Sequence, residues 1–390
     1  MTFTKNCRPV LLAGGGLLVA AVLAWSVWSG PRGRRTPTRP PAVAAVSGGG
    51  VVSPPPPLVR EAALLEGLEN LQRRLAAGLG PGAARTALAV MAQALHTASP
   101  AAAVAALRAL LDRGSDAPTG LAFRVGPGGD LAGAPTLRVW LLDQLSHINP
   151  ADAASYAERI YARHDSADEW AIALRNDWRE AASTGRIAPV RARALELLDD
   201  PVWAKQPSIG FLEALDLSVA TMAWEAVPRL EQWLDPAQPK ALRAGAWVAL
   251  DRLTMEMPAD FLPALAQNRD WLASQPLLRA GLMARADLSA VRERQAVEAY
   301  LQRADITALE GKRFFELLPN VSATVSYNLV TTVRIPTLQQ AARLDRAALD
   351  QVDVWQAQPQ FARWRIELTV AEMRLGESVA SAVRGGILPP

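Results

Sequence analysis

PKALRAGAWVALDRL, residues 239–253, opens on a proline, places an arginine four residues later, and then repeats Ala and Leu at helical spacing. Proline is tolerated in the first turn of a helix, where its missing N–H has no partner to lose and its φ is already helical. The same order of events recurs in PTLRVWLLDQL (135–145), PVRARALELL (189–198) and PLLRAGLMARADL (276–288). Successive starts lie 54, 50 and 37 residues apart. A unit that opens alike four times is the mark of an internal repeat.

Outward from these four segments the helical rhythm continues in both directions. Leu64, Leu68, Leu71 and Leu75 advance by four, three and four, the spacing of one helix face. Gly80-Pro81-Gly82 interrupts them, and Ala84, Leu88, Met91 and Leu95 repeat the steps. Ser99-Pro100 and Asn149-Pro150 each offer an N-cap followed by proline at the first helical position. Ser166-Ala167-Asp168-Glu169 reads as a capping box, with Trp170, Leu174 and Trp178 facing inward after it. Phe361, Trp364, Leu368 and Leu375 form one more face near the end. Apolar segments of about 11–17 residues, broken by Pro, Gly, Asn or Asp, predict roughly 15 or 16 helices joined by short turns.

The recurring proline and arginine resemble the HEAT-like α-helical repeats, in which both residues return from unit to unit. The likeness spans 59–290 and is closest over 180–290. It implies an all-α fold, an α-solenoid of helical hairpins whose concave face binds other proteins. The family as a whole has no single function, so the resemblance implies none.

Two segments break the rhythm. Residues 114–134, GSDAPTGLAFRVGPGGDLAGA, are too long and glycine-rich for a helix turn. Leu121–Val125, a Gly126-Pro127-Gly128-Gly129 turn and Asp130-Leu131 predict a small β-hairpin insertion. The second runs from Pro319 to Thr337, is rich in β-branched residues, and holds Tyr327 and Asn328. Long non-helical insertions in a helical domain are where binding residues concentrate. Phe123, Arg124, Gly126 and Gly128 in the first, and Tyr327 and Asn328 in the second, are therefore candidate binding residues. Ten of the 12 tryptophans lie in the helical region, and their usual role there is core packing. Trp140, Trp178 and Trp247 are the candidates for lining a groove, since an indole offers a flat apolar face and an N–H.

Toward the amino terminus the character changes. No charge occurs between Arg8 and Arg32, and that length suffices to cross a hydrocarbon core of about 20 apolar residues. Trp25 and Trp28 stand where an interfacial belt would fall. The expectation is a tail over 1–9, a single transmembrane helix over 10–31, and a linker over 32–57 with seven prolines in its last 22 residues. An uncleaved or cleaved signal is the competing reading of the same stretch. Residues 58–384 form the repeat domain and 385–390 a short tail. The reading is a single-pass membrane protein, attached through residues 10–30, with its body on the extracytoplasmic, periplasmic side.

The formal net charge is +3, yet residues 1–57 hold six cations and no acid. The remaining 35 Lys and Arg face 38 Asp and Glu, so the body carries about −3 and no basic run. Nucleic acid, which is bound through clustered cations, is not an expected partner. The only cysteine, Cys7, precedes the body, so the body has neither a disulfide nor a catalytic thiol. His96, His147 and His164 show no paired metal-ligand spacing, and His164 reads as a helix-end residue. No P-loop or GxSxG is present. Gly376-Glu377-Ser378 and Gly281-Leu282-Met283 resemble two short motifs of lytic transglycosylases, in reversed order and about 93 residues apart. That arrangement assigns no catalytic role. No catalytic residue, metal ligand or cofactor is named from the sequence. The expected function is a membrane-tethered scaffold that binds a protein through its concave face. A glycan-active cell-envelope hydrolase or lyase with a Trp-lined cleft is the alternative.

Overall fold

A computed structural model describes residues 57–389. The tail, transmembrane helix and, apart from Pro57, the linker expected from the sequence lie outside the described residues. Among the described residues no helix is long and apolar enough to cross a membrane. The described residues fall within one compact unit.

The described residues are all-α in character, with 71% of them helical. Three helices precede the first insertion: α1 (Pro57–Ala76), α2 (Pro81–Thr97) and α3 (Pro100–Asp112). The hairpin strands are β1 (Arg124–Val125) and β2 (Leu131–Gly133). Then come α4 (Leu137–Ile148), α5 (Pro150–Arg163), α6 (Ala167–Thr184), α7 (Ile187–Asp199), α8 (Pro201–Lys205) and α9 (Ile209–Ala220). The middle holds α10 (Val227–Gln232), α11 (Lys240–Glu256), α12 (Pro258–Gln267), α13 (Pro276–Met283) and α14 (Val291–Gln302). The chain closes with α15 (Ala308–Leu317), α16 (Leu338–Gln356) and α17 (Arg365–Arg384). Of the segment read as a tail, Leu388 is buried against Ala342, Val379 and Ala382.

The main helix contacts join elements close in sequence. Helix α5 packs on α6, α6 on α9, α9 on α11, α12 on α14, α13 on α15, and α16 on α17. The stripes read from the sequence face this shared core: Leu68, Leu71, Leu75, Ala84, Leu88 and Leu95 are buried, as are Trp170, Leu174, Phe361, Trp364, Leu368 and Leu375. The caps form as their residues predict. The Ser99 hydroxyl accepts from the Ala102 N–H and the Asn149 side chain from the Asp152 N–H.

The four proline–arginine openings start helices in four slightly different ways. Pro135 lies one residue before the Thr136 N-cap of α4, Pro189 is the third residue of α7, Pro239 is the N-cap of α11, and Pro276 begins α13. Their arginines matter more. Arg138 meets Glu169 through Nε–Oε1 at 2.8 Å and Nη2–Oε2 at 2.9 Å. Arg279 meets Glu310 in the same fork, at 2.7 and 3.0 Å. Each glutamate lies 31 residues after its arginine and donates its N–H to a capping hydroxyl, Ser166 or Thr307. Hence Ser166–Glu169 is only half of a capping box. The Glu169 carboxylate does not turn back on its own helix, because a two-pronged, charge-assisted bond to Arg138 is stronger. Arg191 instead donates to the Thr221 carbonyl, and Arg243 to the Pro236 carbonyl.

The first insertion is a hairpin, as expected, although its strands are short. Its base is fastened by Thr119 N–H to Pro135 O at 2.9 Å and Leu137 N–H to Ala117 O at 2.8 Å. The second insertion, residues 318–337, joins α15 to α16 without forming a strand. We call it the finger.

A candidate interaction site where two insertions meet

The site is built on three Asp–Arg pairs, each joining neighbouring helices. Asp143 of α4 faces Arg175 of α6 at 2.6 Å. Asp216 of α9 faces Arg252 of α11 at 3.5 Å. Asp251 of α11 faces Arg285, just beyond α13, at 2.6 Å. The five helix-borne members leave hydrogen-bonding capacity that the helix backbones cannot use, and buried polar groups must spend that capacity. Asp143, Arg175, Asp216, Arg252 and Arg285 spend it on the two insertions, while Asp251 holds Arg285 in place.

Arg175, fully buried, donates from Nη1 both to Asp143 and to the Gly129 carbonyl at 2.8 Å. One turn further along α6, Arg179 donates to the Gly128 carbonyl and to Asp130 Oδ1, both at 2.8 Å. Two guanidiniums thus hold the hairpin tip. Gly128 and Gly129 have φ of 73° and 80°, a left-handed conformation that glycine adopts without penalty.

The finger is held from the other side. At its root the Asn320 N–H donates to Ala284 O at 2.7 Å, and Arg285 donates to the Asn320 and Ser322 carbonyls. Midway, Arg252 Nη2 donates to Ser326 Oγ at 2.7 Å. At the tip, Asp216 Oδ2 accepts from the Val330 and Thr331 N–H groups at 2.9 and 2.8 Å, while Oδ1 accepts from the Thr331 hydroxyl. Tip meets tip at Gly129: a Cβ there would lie 2.0 Å from the Leu329 carbonyl oxygen. Only glycine lets the two backbones approach so closely.

The electrostatics follow from burial and pairing. Burial opposes the charge of Asp143, but the hydrogen bond from His147 and the charge of Arg175 outweigh it and hold the carboxyl below its ordinary range. The Asp143 hydrogen bond raises the His147 pKa. Glu213, one turn before Asp216, is pushed up to about 7 by burial and by the Asp216 charge, with Arg252 offsetting part of the shift. Burial also raises the Asp251 pKa against the pull of Arg285.

The structure separates the residues singled out in the sequence. Phe123 and Trp140 are buried in the core and Trp178 packs half-buried against it. Gly126 donates to Asp130 O at 2.7 Å and closes the turn that carries Gly128. Arg124 is exposed on β1. Asn328 is buried at the finger tip, where its Nδ2 donates to Thr331 and its Oδ1 accepts from Ser326. Tyr327 beside it is 62% exposed. Gly126, Gly128, Tyr327 and Asn328 therefore belong to one locality. Trp247, 40% exposed, stands apart, lining an open groove of ≈ 570 Å³ with Leu277, Leu309, Lys312, Arg313 and the finger root.

Sequence reasoning missed the acids and bases that organise the site. Asp143 and Arg175, Asp216 and Arg252, and Asp251 and Arg285 are 32, 36 and 34 residues apart, a spacing that carries no motif. It also passed over Asp143 and His147, which are four apart on α4 and gather with Asp130 of the hairpin. That trio has donors within reach of one cation, yet Arg175 and Arg179 already neutralise its two carboxylates. We assign it no metal. His164 is the left-handed C-cap of α5, and its Nε2 lies 2.6 Å from Asp200 Oδ2.

No protein-family model, curated protein or solved structure matches this chain.

Proposed function

We propose that this chain is a membrane-tethered helical-repeat scaffold that binds a protein partner. In this reading the helices stack as a HEAT-like solenoid, residues 10–30 attach it to the membrane, and the body lies on the periplasmic side. The partner meets the concave face where hairpin and finger join. The observation that carries the proposal is this meeting itself. Gly129 and Leu329 are 200 residues apart, and buried charged side chains are committed to bringing their backbones together. On the hairpin Arg124, and on the finger Val325 and Tyr327, remain exposed. An arginine and a tyrosine beside an aliphatic residue have the composition of a protein-binding surface.

The glycan-active alternative needs a protonated and an ionised carboxylate on either side of a Trp-lined cleft. Glu213 and Asp216 come nearest, but Asp216 is engaged by Val330 and Thr331. In the Trp247 groove, Asp251 is held by Arg285. Both facts weigh against a hydrolase.

The test is photocrosslinking in native membranes from a probe at Tyr327. One protein should be captured, and its yield should fall at least fivefold with Arg124→Ala and Val325→Ser, both exposed positions. Capture that ignores these changes, or no capture beside turnover of cell-wall glycan by the purified chain, overturns the proposal.

A further inference from the structure

We propose that the clasp around Asp216 is a docking site for an extended peptide segment, which the finger tip fills as a tethered stand-in until a partner's segment replaces it. This rests on the scaffold reading and names the chemistry of the partner's contact.

Three observations carry it. The first is how generic the contacts at the tip are. One carboxylate accepts two consecutive main-chain N–H groups and a hydroxyl, and Leu329, wholly buried, fills the seat beside them. Any extended chain with an aliphatic residue two places before a Thr or Ser offers the same set.

The second is how lightly the rest of the finger is held. From Val321 to Pro336, among the described residues, no main-chain N–H donates to a main-chain carbonyl. Only Ser322, Val330 and Thr331 find side-chain acceptors for theirs. Val325, Tyr327 and Ile335 point apolar surface to solvent. Segments with few buried contacts and unpaired backbone are the first to open.

The third is what the clasp retains when the tip leaves. Asp216 keeps Arg252 at 3.5 Å, so opening does not strand a buried charge. Arg252 also has a buried Nε with no hydrogen-bond partner. A buried donor left unspent is costly, and an incoming backbone carbonyl would satisfy it where the finger does not. A partner segment that makes the tip's contacts and also brings a carbonyl to this Nε would be held more fully than the present occupant.

The experiment uses the full chain with Cys7→Ser and Thr324→Cys carrying a nitroxide, and the fluorescent peptide SYNLVTTV, residues 326–333. Excess peptide should mobilise the nitroxide. Peptide should bind at least tenfold more tightly to Leu329→Ala/Thr331→Ala, whose tethered copy is weakened, and at least tenfold more weakly when Asp216→Asn is added. The scrambled peptide should do neither. Should the double variant fail to fold by circular dichroism, Thr331→Ala alone serves with the same readouts. A folded variant that does not bind the peptide, or binding indifferent to Asp216→Asn, overturns the docking site. The scaffold reading fails separately: peptide exchange without capture in membranes defeats that reading alone. Capture of a partner while the nitroxide stays immobile defeats the docking site alone.

Discussion

Glu213 lies on α9 one turn from Asp216, and its carboxyl titrates near 7, raised by burial and then by its neighbour's charge. Between the ordinary value of 4.5 and about 7, the folded chain keeps a proton there that the unfolded chain has released. Stability therefore falls as pH rises through that window and levels off above it. Glu213→Gln removes the dependence. In urea unfolding it should match the parent at pH 4.5 and exceed it by roughly 2 kcal/mol at pH 8, a figure discounted for partial exposure. The forked pairs behave oppositely. Glu169→Ala or Glu310→Ala deprives a buried guanidinium of its forked carboxylate and should cost about 3–5 kcal/mol. Replacing both partners by apolar residues, Arg279→Met with Glu310→Leu, should restore most of that loss in the same assay. At this scale the sequence was half legible. The arginines announce themselves by following prolines, but their glutamates, 31 residues on, look like ordinary first-turn acids. Local spacing cannot show that a side chain has turned away from its own helix.

Helices and insertions differ in how far they can be read. A helix carries its evidence in its own stripe, so Leu68, Leu71 and Leu75 mark α1 without reference to anything else. The finger does not. Its β-branched residues suit a pleated sheet, but that preference is realised only beside a partner strand, and among the described residues none pairs with it. The hairpin, whose partner is local, does form. That the two tips meet depends on every helix between them, which no window of sequence contains. Hydrogen exchange of the full chain should show the Val330 and Thr331 amides protected at least tenfold over Thr324 and Val325, and Asp216→Asn should abolish the difference. Gly129→Ala would drive a methyl into the Leu329 carbonyl. It should lower the stability of the junction by about 1–3 kcal/mol, read as faster exchange at Leu329 with α1–α3 unchanged.

Across the whole molecule, helices pack chiefly on those a few places away in sequence. Where each element packs chiefly on near neighbours in sequence, distant parts of the molecule can open separately. The finger adds links of another order: it leaves the end of α15 and touches residues from α13, α11 and α9 before reaching the hairpin. Weakening its tip contact with Thr331→Ala should therefore broaden urea unfolding and lower its slope, while far-ultraviolet circular dichroism of the folded chain stays the same. The recurring proline–arginine openings were visible in the sequence, whereas this bridge was not, since it is made by carbonyls, amides and a missing Cβ. In mechanical terms the finger is a string tied from the end of α15 to α13, α11 and α9. Pulling residues 60 and 389 apart in optical tweezers should load that string first, giving an early, low-force rupture that Asp216→Asn erases, before any helix is stripped from its neighbours.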